Sequence, residues 1–248
     1  MCGIAGWIAN RASAPPGAVL TSMLASIAHR GPDGQGTCHH RASGGYELRL
    51  GHRRLAIIDP DGAKQPMRDA SSGVTLVFNG EIYNFRELRR VLARAGHRFA
   101  RDSDTEVLLR AYQHWGQDVV RHLRGMFAFA IWDARRETLF LARDRFGEKP
   151  LYLHERGGNL YFASEIKALL RIPGLDPPVD LDAVWSYLAY RYVPAPATLF
   201  GGIRKLMPGT TAVWKRGRLE ERRYWSPPDR DYRPAGPPSG DPAGDFLA

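Results

Sequence analysis

Cys2 stands directly behind the initiator methionine. Removal of Met1 would put a thiol and a free α-amine on one residue, a nucleophile beside its own general base. The two groups titrate close together, at about 8.5 and about 8, so a proton moves between them at little cost. Thiols attack well only once deprotonated, and an N-terminal amine is one way to achieve this. Taken by its position alone, Cys2 reads first as an ordinary small buried cysteine. Three other segments carry groups that such a nucleophile needs. Arg54, in Gly51-His52-Arg53-Arg54-Leu55, has a planar fork that matches a carboxylate. Asn79-Gly80 offers a side-chain amide next to a glycine N–H, two donors for a developing oxyanion. Asp104, in Ser103-Asp104-Thr105-Glu106, can pair with an ammonium group. Each has an ordinary alternative: a strand-end arginine, a tight Asn-Gly turn, and a helix N-cap.

The elements that must hold these groups follow from periodicity. Gly3 to Ile8 reads as a strand, and apolar Val19, Leu20, Met23, Leu24 and Ile27 have helical spacing. His29-Arg30-Gly31-Pro32-Asp33-Gly34 breaks that helix with turn chemistry. Strand-like runs follow at Tyr46–Leu50, Leu55–Ile58 and Val74–Phe78, then two helices around Phe85–Leu92 and Val107–Trp115, with Gly96 and Gly116 as stops. Met126–Trp132 and Thr138–Ala142 form one hairpin, and Leu151–Leu153 with Leu160–Ala163 another. Helices are expected at Glu165–Leu170 and Leu181–Tyr190. This order lacks the βαβ alternation of a doubly wound sheet and favours antiparallel sheets covered by helices, an α+β fold.

The net charge of +9, from 35 basic and 26 acidic residues, raises nucleic acid as a partner. The basic residues are scattered, and no zinc finger, aromatic platform or recognition helix accompanies them, so no nucleic-acid role is expected. Cys38-His39-His40 suggests a metal, but adjacent residues of an extended chain face opposite ways and no second ligand pair is suitably spaced. No metal site is expected. With two cysteines, no long apolar run and no signal core, the chain reads as cytoplasmic and without a membrane span. Residues 226–248 are rich in Pro and Gly, a linker or the start of a further domain, so a folded domain is expected over 1–225.

Taken in order along the chain, these pieces resemble the class II glutamine amidotransferase domain, an N-terminal-nucleophile hydrolase, and especially that of glutamine-hydrolysing asparagine synthetases. The matching segments are Met1–Gly6, His29–Asp33, Gly51–Leu55, Gln65-Pro66, Asn79–Asn84, Ser103–Glu106, Gly125–Ala130, Arg143–Tyr152 and Phe162–Leu169. The resemblance implies a four-layer αββα sandwich of two antiparallel sheets. It implies that Cys2 attacks the side-chain amide of L-glutamine, with Asn79 and the Gly80 N–H as oxyanion hole. Arg54 would hold the substrate α-carboxylate, and Asp104, with Glu81 and Gly80, its α-ammonium. Leu55, Ile57 and Ile58 would line the pocket. No cofactor is implied for the glutaminase. ATP and Mg2+ would serve a C-terminal synthetase domain, absent here, that forms asparagine from aspartate, and homodimers occur in the family. The chain is thus expected to be the front part of a longer protein. Two other readings stay open: an amidotransferase aminating a different carboxylate, and a non-catalytic scaffold or anion-binding module with this fold.

Overall fold

The computed structural model describes residues 1–56 and 64–228. Its first half runs β1 (Gly3–Asn10), α1 (Ala18–Ser26), β2 (Gly34–Arg41), β3 (Tyr46–Arg54), β4 (Met67–Asp69), β5 (Val74–Ile82), α2 (Phe85–Arg94) and α3 (Asp104–Trp115). The second half runs α4 (Val119–His122), β6 (Gly125–Asp133), β7 (Thr138–Arg143), β8 (Tyr152–Arg156), β9 (Asn159–Ala163), α5 (Ile166–Leu169), α6 (Leu181–Tyr190), β10 (Ile203–Lys205), β11 (Thr210–Lys215) and β12 (Arg218–Arg223).

The strands form two six-stranded sheets, ordered β10-β8-β9-β1-β3-β2 and β12-β11-β7-β6-β5-β4. Every strand pairing in them is antiparallel. Strand alternation sorts the core into three slabs. Ile4, Ile8, Leu48 and Leu50 of one sheet meet Val77, Ala128, Ala130 and Trp132 of the other. The opposite side of β1, with Ala5, Trp7 and Ala9, packs under α1 and α5. On the far side, Leu76, Phe78, Phe127 and Phe129 are covered by α2, α3 and α4. The result is the expected αββα layering. Among the described residues no helix is long and apolar enough to cross a membrane.

Three local expectations change. Residues 46–54 make one strand, β3, whereas Leu55 and Ala56 lie beyond its end and are not strand; Ile57 and Ile58 fall outside the described residues. Asn79-Gly80 is no turn: it continues β5, opposite Ala128 and Phe127 of β6. Strands β2, β4, β10, β11 and β12 are not among the expected ones. The edge strands β2 and β12 carry little apolar signal: β2 is polar and alternates between half-buried and exposed positions, and β12 is nearly all exposed and mostly charged. One helix stands apart. α6 buries only Ala183 although Leu181, Trp185 and Leu188 are apolar, and Trp185 is 73% exposed.

Candidate active site

Four separate stretches of sequence meet at one end of the inter-sheet slab. Even-numbered residues of β1 face the second sheet, and Cys2 sits at the head of that row. Arg54 closes β3 on the same inner side as Leu48 and Leu50, and Asn79 shares the inner side of β5 with Val77. Asp104 opens α3. A single cleft is lined by Met1, Cys2, Arg54, Leu55, Asn79, Gly80, Glu81 and Asp104, so every described residue of the expected site is brought together. Gln65, Phe78, Thr105, Met126 and Lys149 complete its walls.

The thiol is bracketed by the backbone of Leu55. Leu55 N–H donates to Cys2 Sγ at 3.3 Å, and the S–H donates to Leu55 O at 3.6 Å. Burial raises the Cys2 thiol above its ordinary value, with Asp104 adding to the rise. The Leu55 bond, the chain's N-terminal ammonium and Arg54 oppose it. The Cys2 carbonyl accepts from Arg30 Nε at 2.9 Å, and Arg30 in turn bonds Glu165 at 2.9 Å. The His29–Asp33 turn fits only because Gly31 has no side chain: a Cβ there would lie 2.4 Å from the backbone of Arg53 and Arg54. The turn thus presses directly on the end of β3 and holds the head of β1.

Asn79 is 1% exposed, lines the cleft, and neither its side-chain oxygen nor its nitrogen has a partner among the described residues. A buried amide left unpaired is costly, and one at a cleft wall is a donor and acceptor awaiting a ligand. At Gly80 a Cβ would stand 2.1 Å from Met126 O, so β5 and β6 approach here in a way only glycine allows. The tie between the sheets is close by. His52 Nε2 donates to Phe78 O at 3.0 Å, and Phe78 N–H donates to the Gln65 side chain at 2.6 Å. Burial holds His52 down at about 4, so its ring stays neutral.

Ser103, not Asp104, caps α3: its hydroxyl accepts from Glu106 N–H at 3.2 Å. Asp104 is therefore released from capping, and its carboxylate accepts from Ile82 N–H at 3.2 Å while facing the cleft. Burial pushes it up to about 6, against the Ile82 and Thr105 hydrogen bonds and with help from the Glu81 charge. A carboxylate short of solvation is primed to take a cation. Cys38, His39 and His40 lie elsewhere, on β2, where His39 meets Glu47 at 3.3 Å and His40 meets Thr75 Oγ1 at 3.1 Å. Among the described residues no group of three or more His, Cys, Asp or Glu side chains could hold a metal.

The sequence profile of the family described as "Glutamine amidotransferase domain" matches residues 1–225. The chain belongs to this family. It is 38% identical over 230 residues to "Asparagine synthetase (glutamine-hydrolyzing) 3" of Bacillus subtilis (strain 168), covering 91% of this chain and 37% of that protein. To the "Putative asparagine synthetase (glutamine-hydrolyzing)" of Mycobacterium bovis it is 43% identical over 245 residues, covering 92% and 37%. "Amidase chry2" of Gibberella zeae is 37% identical over 212 residues, covering 83% and 30%. The chain thus spans little more than a third of the curated relatives it matches. Among solved structures, glutamine phosphoribosylpyrophosphate amidotransferase from B. subtilis superposes with a TM-score of 0.66 at 20% identity, over 90% of this chain and 49% of that one, which shows a shared fold. The α+β sandwich and the glutamine amidotransferase assignment read from sequence both stand.

Proposed function

We propose that this chain hydrolyses L-glutamine to glutamate and ammonia once Met1 has been removed. The reading rests chiefly on one observation: the unpaired Asn79 amide shares a buried cleft with the Cys2 thiol, the Arg54 fork and the Asp104 carboxylate. Glutamine carries a complement to each. Its α-carboxylate suits Arg54, its α-ammonium suits Asp104 with Glu81 and Gly80, and its side-chain carbonyl suits the donors of Asn79 and Gly80. Leu55, and on the family resemblance Ile57 and Ile58, would flank the aliphatic stem.

The Cys2 α-amine takes the thiol proton, and sulfur attacks the carboxamide carbon. The carbonyl oxygen becomes an oxyanion held by the Asn79 side chain and the Gly80 N–H. The protonated amine then returns its proton to the departing nitrogen, which leaves as ammonia and yields a thioester. Water, deprotonated by the same amine, attacks the thioester carbon; the thiol is released and glutamate forms. No cofactor enters these steps. In a longer protein the ammonia would pass to a synthetase domain that uses ATP and Mg2+ to make asparagine from aspartate. A cytoplasmic setting and a homodimer are consistent with that role.

The test is a glutaminase assay on protein whose intact mass shows Met1 to be gone. Equal amounts of glutamate and ammonia are expected, with no turnover from protein retaining Met1. Undiminished ammonia release from a Cys2→Ala protein would overturn the reading.

A further inference from the structure

Lys149 lines the same cleft as Cys2, and nothing in the steps above uses it. It is 6% exposed, and among the described residues its ammonium forms no ion pair with a carboxylate; its hydrogen-bond partner is the thioether Sδ of Met1, at 3.3 Å. A thioether is a weak acceptor, and a buried ammonium without a better one is costly. Its backbone, by contrast, is firmly placed. Lys149 N–H donates to Asp144 at 3.0 Å, and Lys149 O accepts from Arg143 Nε at 2.8 Å. The loop between β7 and β8 therefore directs a cation at the residue that processing takes away.

We propose that Lys149 is a positioning residue for the Cys2 α-amine: its ammonium, facing the space Met1 vacates, keeps that amine neutral and able to accept the thiol proton. This rests on the glutaminase reading above. The physical basis is like-charge repulsion. A second cation nearby disfavours protonation of an amine and lowers its pKa from about 8, toward the operating pH where a general base works best.

Charged groups reach this corner from every element around it. Arg30, from the turn after α1, holds the Cys2 carbonyl. Arg54 closes β3, and Glu81 and Asp104 enter from β5 and α3. The two carboxylates favour a protonated amine, and Asp104 is partly engaged by Ile82 N–H. The three cations, Arg30, Arg54 and Lys149, oppose them. Arg30 is committed to Glu165 and to the Cys2 carbonyl, and the role proposed for Arg54 commits it to the substrate carboxylate. The Lys149 ammonium alone of the three has no carboxylate partner among these contacts; Asp144, on its own loop, is taken up by the backbone N–H groups of Phe127, Phe146, Glu148 and Lys149.

The experiment is the pH profile of kcat/KM for glutamine hydrolysis by Met1-free protein, wild type against Lys149→Met and Lys149→Arg. Wild-type turnover first establishes the glutaminase reading; with no turnover, that reading has failed and not the role of Lys149. For Lys149→Met the acid limb is expected to move up by about one pH unit, an activity loss of about tenfold on that limb that fades at high pH. Lys149→Arg should keep the wild-type limb. An unmoved limb in Lys149→Met, whether or not activity falls uniformly, would overturn the proposal, as would a limb moving downward. Should Lys149→Met fail to fold, Lys149→Gln carries the same prediction.

Discussion

The two cysteines show how differently one side chain is treated in two places. Both are half-buried, and burial raises both thiols. Cys38, on β2, packs against the inter-sheet core and is pushed up to about 11, with the Leu50 backbone and Arg68 opposing the rise. Cys2 sits at the mouth of a cleft, between the N–H and C=O of Leu55 and under the influence of Arg54 and the chain's own ammonium. Burial makes a thiol inert by default. Each sulfur has a backbone partner and an arginine near it, and of the two only Cys2 lines the cleft that holds Asn79 and Asp104.

The sharpest way to break this contrast is to delete each thiol. Cys2→Ala is expected to lose glutaminase activity by at least about a thousandfold, since nucleophile and acceptor site vanish together. Cys38→Ala should stay within about twofold of wild type in the same assay. Next in size is the proposed oxyanion hole. Asn79→Ala should lower kcat by about 100- to 1000-fold with little change in KM, because the contact matures only as charge develops.

A smaller effect belongs to Asp104. Asp104→Asn removes the cation partner and should raise KM about 10- to 100-fold, the worth of a charge-assisted hydrogen bond. The wild-type KM should itself rise as pH falls through about 6, where Asp104 takes up a proton. Stability moves the other way. The folded pKa lies above the unfolded one of 3.8, so the native state binds the extra proton and stability falls as pH rises from about 4 to about 6. At pH 7 that cost is fully present, and Asp104→Asn should gain about 1–3 kcal/mol in denaturant unfolding. The least perturbing measurement is alkylation by iodoacetamide at neutral pH. Cys2 should react at least about tenfold faster than Cys38 and be protected by glutamine.

Much of this arrangement could be read before any coordinates. The hairpins β6–β7 and β8–β9 declared themselves because apolar runs were separated by polar or glycine turns. Ser103-Asp104-Thr105-Glu106 marked the start of α3 because cap chemistry is local. Asn79-Gly80 misled as a possible turn: the dipeptide commonly bends the chain, yet here the missing Cβ serves a close approach of β6 that local sequence cannot express. Leu55 was placed on a strand by its apolar neighbours, while its actual task is to offer backbone atoms to sulfur. Arg30, Gln65 and Lys149 stood in recognised segments without a role. Their partners, the Cys2 carbonyl, the Phe78 N–H and the Met1 thioether, are distant in sequence or weak in kind, and only the folded chain pairs them.

β1 lies between β9 and β3, and seven of its eight residues are buried. The Cys2 sulfur is thus tethered one residue ahead of a strand that is paired on both sides. Amide exchange along Gly3–Ile8 should proceed only through the rarest openings of the molecule, so Cys2 does not wander with surface breathing. On the proposed mechanism, activation would be covalent and one-way: the trimming of a single residue, done once in the life of each molecule.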